Sequence, residues 1–136
     1  MTGIGEVEVR LDEACRRAWT GMFATEVNRE NPRLALDGCV ALVELSGAWN
    51  GSLIAAVSER AGIEAATVVF GPEADGVDAA DALAEWLNIV AGAIRVELGS
   101  EMSLPTVVPG GITPPTQPLA RVDYAVPGGT LSAWLT

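Results

Sequence analysis

Asp78-Ala79-Ala80-Asp81-Ala82-Leu83-Ala84-Glu85-Trp86-Leu87-Asn88-Ile89-Val90-Ala91-Gly92-Ala93-Ile94-Arg95-Val96-Glu97-Leu98-Gly99 carries the most sustained helical period in the chain. Leu83, Leu87, Val90, Ile94 and Leu98 recur at spacings of four, three, four and four, so they form one stripe that must face a core. Asp81, Glu85, Asn88, Gly92 and Arg95 fall in a wedge of roughly 80°, centred about 140° from that stripe. The spacing predicts one long amphipathic helix over about 78–99, closed by Gly99. Trp86 lies about 40° from the edge of the stripe and reads as a boundary core residue.

The flanks are shorter elements. Ahead of the helix, Gly71-Pro72-Glu73-Ala74-Asp75-Gly76 is a loop, and Ser58 is placed to cap a short helix that ends near Gly71. The acids Glu73, Asp75, Asp78 and Asp81 complement the N-terminal end of the long helix. Residues 52–57 and 39–45 are two apolar runs joined by Ser46-Gly47-Ala48-Trp49-Asn50-Gly51, which predicts an antiparallel hairpin. The first of its strands belongs to a β-rich stretch over 34–45. Cys15, Ala18, Trp19, Met22 and Phe23 share a helical stripe; Asp12 is placed to cap that helix, and Asn31-Pro32 to stop it by about Asn31. Residues 6–10 alternate apolar and charged side chains and read as a short strand. Beyond the long helix, 102–108 is extended and broken by Pro105, and 110–117 is a Pro/Gly-rich connector. Residues 118–126 alternate, and Pro127-Gly128-Gly129 turns the chain into a last strand over 130–135. Hairpin strands with three helices between them predict one α+β domain over 1–136, an antiparallel sheet covered on one face by helices. A Rossmann arrangement lacks its Gly-rich first turn.

Composition narrows the chemistry. The 136 residues are 49% hydrophobic, enough for one real core, and no apolar run approaches the roughly 18 residues of a membrane span. The first ten residues lack the pattern of a signal peptide, so the expected compartment is the cytoplasm. Eight arginines against 18 acids give a net charge of -10, which disfavours nucleic acid and anionic membranes. Histidine and lysine are absent. That removes triad and imidazole-base schemes, HExxH metal sites, Schiff bases and the Walker A loop. No plausible metal cluster stands out, and the chain is expected to carry neither metal nor cofactor of its own. Cys15 and Cys39 both sit in core-like segments and read as buried free thiols.

The polar face of the long helix is therefore the informative feature. Asparagine is a mediocre helix residue, and an interior glycine costs about 1 kcal/mol relative to alanine. Both stand where packing demands nothing, although any amphipathic helix also has a wet side. Gly92 leaves a flat patch beside Asn88 that another backbone can approach. The Asn88 carbonyl can accept from a water while its amide donates to a phosphoryl oxygen. Glu85, one turn earlier, suits a partner's cation.

Here a resemblance enters. Asp81-Ala82-Leu83-Ala84-Glu85-Trp86-Leu87-Asn88 resembles the Asp/Ser-x3-Glu-x2-Asn signature of the chemotaxis phosphatases CheX, CheC and FliY. Ala91-Gly92 continues it. Leu104-Pro105-Thr106-Val107-Val108-Pro109-Gly110 is similar to the Pro-Pro-Thr-Val-Val-Ser-Gly segment of CheX, and Asn50-Gly51-Ser52-Leu53-Ile54 to the Glu-Gly-Ser-Leu-Ile strand start of the family. The ordered set covers roughly 49–110.

The resemblance implies an α/β sandwich with the signature on a long surface helix. It also implies hydrolysis of the aspartyl phosphate on a CheY-like response regulator. Glu85 would contact the receiver's active-site lysine and Asn88 would orient the attacking water, with Asp81 and Gly92 at the contact. Mg2+ would be the receiver's ion, and a homodimer is expected from CheX itself. The alternative is a non-catalytic CheX-like binding or dimerisation module in two-component signalling. A small-ligand domain with an apolar pocket lined from the Trp49 hairpin is a further option.

Overall fold

The computed structural model describes residues 4–29, 38–108 and 117–136. In chain order the elements are α1 (Ile4–Phe23), β1 (Asn28–Arg29), β2 (Cys39–Gly47), β3 (Gly51–Val57) and α2 (Glu59–Phe70). These are followed by α3 (Gly76–Leu98), β4 (Ser100–Met102), β5 (Thr106–Val107), β6 (Ala120–Val126) and β7 (Gly129–Leu135). The strands make one antiparallel sheet in the order β1-β6-β7-β3-β2-β4, with β5 also on β2. The three helices pack on one face, over a core that runs from Leu11 and Trp19 through Leu53 and Val43 to Leu87, Val90 and Leu131. The α+β reading and the antiparallel sheet under helices stand.

The β2–β3 hairpin forms as its sequence suggests, with Val43 opposite Leu53 and Leu45 opposite Gly51. Asn50 Oδ1 accepts from the Gly47 amide at 3.1 Å and closes the turn. Gly51 is needed for space, because a Cβ there would meet the Trp49 ring and the Thr136 carbonyl. At β6 the expected alternation holds, with Ala120, Val122, Tyr124 and Val126 buried on the core side. Asp123 is buried too. Its carboxylate is held by Arg121 at 3.0 Å and by the Ser132 hydroxyl at 2.6 Å.

Several boundaries differ from the sequence reading. Residues 6–10 are not a strand but part of α1. Val7, Leu11 and Cys15 recur every four residues and all three are buried, whereas Val9 points outward; the pattern over 6–10 was too short to separate period two from the helical stripe that continues it. Asp12 is consequently inside the helix, not its cap. The helix ends at Phe23, well before Asn31, because Ala24 turns the backbone to a left-handed φ of 57°. Asn31, Pro32, the start of the 34–45 stretch and most of the 110–117 connector lie outside the described residues.

Ser58 occupies the N-cap of α2, yet its hydroxyl does not cap: it accepts from the Thr130 amide at 3.1 Å and ties α2 to β7. Of the two thiols, Cys15 is fully buried, and burial pushes its pKa far up; Cys39 is only half-buried, at the start of β2.

Candidate functional site

The site is built on α3, and its ends show why the helix sits where it does. Its N-cap is Asp75, three residues before the expected start. Asp75 Oδ1 accepts from the amides of Val77 and Asp78 at 3.0 and 3.1 Å, while Asp78 Oδ2 accepts from the Asp75 amide at 3.1 Å. This reciprocal capping box was hidden in the sequence because its partner at the third helical position is Asp rather than the usual Glu or Gln. Those amides hold the Asp75 carboxyl below its ordinary value, the Asp78 amide contributing most. At the other end Gly99 takes φ 66° and ψ 35°, and its amide donates to Arg95 O. The next three residues, β4, pair with the end of β2, so the C-terminus of α3 is fastened to the sheet edge.

The inward face is fully committed. Trp86, Leu87 and Val90 are inaccessible, Leu83 and Ile94 nearly so, and Leu98 packs partly buried against the core. Trp86 is deeper than the boundary position its wheel angle suggests. Its indole Nε1 donates to the Cys15 carbonyl of α1 at 3.3 Å, and its ring meets Trp19 edge-on at 6.2 Å between centroids. The helical wheel of α3 cannot show this, because α1 supplies a second apolar surface on that side. One aromatic with a directional bond thus fixes the rotation of α3 about its axis.

That rotation decides the outward face. Asp81, Glu85 and Arg95 are exposed, and Asn88 and Gly92 are partly exposed along the same row. Among the described residues no hydrogen bond or ion pair involves the side chains of Asp81, Glu85, Asn88 or Arg95. The structure thus brings together one acid and one amide a turn apart, in contact with solvent. A Cβ added at Gly92 would meet nothing within 4 Å, so no contact of its own chain requires glycine there. Among the described residues no group of three or more His, Cys, Asp or Glu is arranged to hold a metal ion. What the row offers is an acceptor for a cation, an amide that both donates and accepts, and an open backbone between Asn88 and Arg95. These are the means to orient a water and a phosphoryl group presented by another molecule.

The remaining sequence matches are structural. Ser52, Leu53 and Ile54 lie in β3, and Thr106 and Val107 form β5 on the edge of β2. Trp49 is half-buried against the core, its carbonyl accepting from Ser100 Oγ at 2.7 Å. Trp19, on its helical stripe, is buried as expected, and Trp134 of β7 is buried too. A cleft between α1 and α3, lined in part by Arg17, Gly21, Ile89 and Ala93, was not anticipated. Its only sequence signal was the α1 stripe, whose first turns were misassigned.

The family model of the chemotaxis phosphatase CheX matches residues 39–127. The fold is similar to the chemotaxis protein CheX from Vibrio vulnificus (TM-score 0.81, 20% identity, 99% of this chain and 98% of that one). It is also similar to a chemotaxis protein CheX from Desulfovibrio desulfuricans (TM-score 0.78, 17% identity, 96% and 98%). A third similar structure is the CheX-CheY-BeF3-Mg+2 complex from Borrelia burgdorferi (TM-score 0.76, 17% identity, 94% and 95%). No curated protein matches the chain at a significant level.

Proposed function

The chain belongs to the chemotaxis phosphatase CheX family, and from that premise we propose that it hydrolyses the aspartyl phosphate of a CheY-like response regulator. The observation that carries this reading is the projection of Glu85 and Asn88 from one face of α3, a turn apart and without partners of their own among the described residues. The similar CheX-CheY complex supports a receiver as the partner.

In this reading Glu85 engages the receiver's active-site lysine and brings the two proteins into register. Asn88 then reaches the phosphoryl group. Its carbonyl accepts from a water and its amide donates to a phosphoryl oxygen, which places the water in line with the bond to be broken. The water oxygen bonds to phosphorus as the bond between phosphorus and the aspartyl oxygen breaks. The products are the receiver's free carboxylate and inorganic phosphate, and the proton of the water leaves with the phosphate or to solvent. A carboxamide takes no proton, so the contribution of Asn88 is positional. Mg2+, in this reading, belongs to the receiver and neutralises phosphoryl charge there. Asp81 and Gly92 border the contact, Gly92 by leaving room for the receiver's backbone.

The test is phosphate release from phosphorylated receivers of the source organism, with wild type, Asn88→Ala and Glu85→Ala. Wild type accelerates release from at least one receiver, and Asn88→Ala lowers the rate by about ten- to a thousandfold without loss of fold. Glu85→Ala weakens binding as well as turnover. Receiver binding with no acceleration would leave a non-catalytic module instead.

A further inference from the structure

The row on α3 does not end at Glu85 and Asn88. Ile89 follows Asn88 directly and is 47% exposed, a large apolar side chain with no core to enter. It forms the lip of the cleft between α1 and α3, about 450 Å³ in volume, lined by the small residues Ala14, Ala18 and Gly21 of α1 and Ala93 of α3, together with Arg17, the Arg10–Glu13 pair and Glu97. Gly21, like Gly92, would meet nothing within 4 Å if it carried a Cβ. Two interior helix glycines without an internal reason therefore lie on this side of the molecule.

Charge singles out the same place. Arg10, Arg16, Arg29, Arg60 and Arg121 each reach an acid within 4.0 Å. Among the described residues Arg17 and Arg95 do not. In a chain of net charge -10, these two described arginines without an acid are Arg95, on the Glu85–Asn88 row, and Arg17, in the lining of the cleft. An exposed cation left unpaired among 18 acids is complementary to negative charge brought by a partner.

From the geometry we infer that the α1–α3 cleft is a second docking subsite for the same receiver. It takes an apolar side chain, flanked by a carboxylate, from the receiver surface beside the phosphorylated aspartate. This rests on the receiver being the partner of Glu85 and Asn88. The apolar side chain seats on Ile89 and Ala93, and the carboxylate meets Arg17. The subsite acts on affinity and on choice of receiver, not on the chemical step.

The experiment measures both binding and turnover. Binding uses receivers of the source organism loaded with beryllofluoride and Mg2+, and turnover uses the same receivers phosphorylated by acetyl phosphate. Arg17→Glu and Ala93→Phe each raise Kd and KM by about tenfold, with kcat at saturation within twofold of wild type. Arg17→Lys restores most of the affinity, and the Arg17→Glu defect shrinks in high salt. Asn88→Ala shows the opposite split, losing kcat and keeping Kd. Unchanged Kd and KM in both cleft variants, with wild-type turnover present, overturn the subsite and leave the phosphatase reading standing. Cleft-dependent binding without turnover in wild type supports the subsite and removes the catalytic reading. No binding of any receiver by wild type overturns both, whereas a cleft whose filling by Ala93→Phe only dissociates a pair of copies of this chain overturns the subsite alone.

Discussion

Two polar clusters in this molecule are built from the same residue types and put to opposite use. In the first, Asp12 of α1 accepts from the Tyr124 hydroxyl at 2.6 Å and from Arg16 Nε at 3.0 Å, with Arg29 3.6 Å away. Arg29 also reaches Glu8 at 3.0 Å, and the Arg16 guanidinium lies over the Tyr124 ring. Burial, with Cys15 and Asp12 as neighbours, pushes the Tyr124 hydroxyl far above its ordinary range, so it remains a donor. Every charge there is answered, and the result is α1 pinned to β1 and β6. In the second cluster the acids, the amide and the arginine all stand within 81–95 on α3, closer together in sequence than the first, yet none answers another. A satisfied cluster spends its bonding capacity on the fold. An unsatisfied one, held rigid by a fully committed inner face, keeps that capacity for a second molecule.

The contrast can be broken from either side. The largest effect is expected at the inner face: Trp86→Ala removes an inaccessible indole and its bond to α1, and should lower stability by about 3–5 kcal/mol in urea unfolding. A loss under about 1 kcal/mol would mean that α1 does not set the rotation of α3. Next, Asp12→Ala strips the Tyr124 hydroxyl of its short hydrogen bond and should lower stability by about 1–3 kcal/mol. Turnover per folded molecule should not change; a rate defect at full folding would merge the two clusters functionally. Gly92→Ala should do the reverse, raising stability by up to about 1 kcal/mol while weakening receiver turnover.

The smallest effect is one of pH. The Asp75 carboxyl is held below its ordinary 3.8, so its contribution is complete above that value and drains away as pH falls through the lowered pKa. Asp75→Asn can still cap but cannot titrate. The stability of wild type relative to that variant should be constant at neutral pH and decline only below about 3.8; a decline setting in near neutrality would assign the effect to another group.

The sequence yielded most where one period dominated over many residues. The leucine stripe of α3 located both its core and its outward row, and the hairpin at Trp49–Asn50–Gly51 followed from a run of turn formers between apolar segments. It failed where two periods fit equally well. Over 6–10 the alternation of Val with Glu suits a strand, and only the continuation through Leu11 and Cys15 makes it helical. Tertiary neighbours account for the rest. Trp86 is buried because α1 lies over it, and Ser58 serves β7 rather than its own helix. The cleft beside Ile89 could not be foreseen without the α1–α3 packing that creates it. The shared outward face of Glu85 and Asn88 was legible because it depends on a spacing within a single helix.

The most direct measurement is the rate of phosphate release from a saturating phosphorylated receiver by Asn88→Ala, set against wild type at equal folded concentration. The account predicts about a ten- to thousandfold fall in kcat, with the unfolding midpoint and receiver affinity unchanged. Equal rates in the two proteins would contradict it, since the water would then be aligned without the amide at position 88.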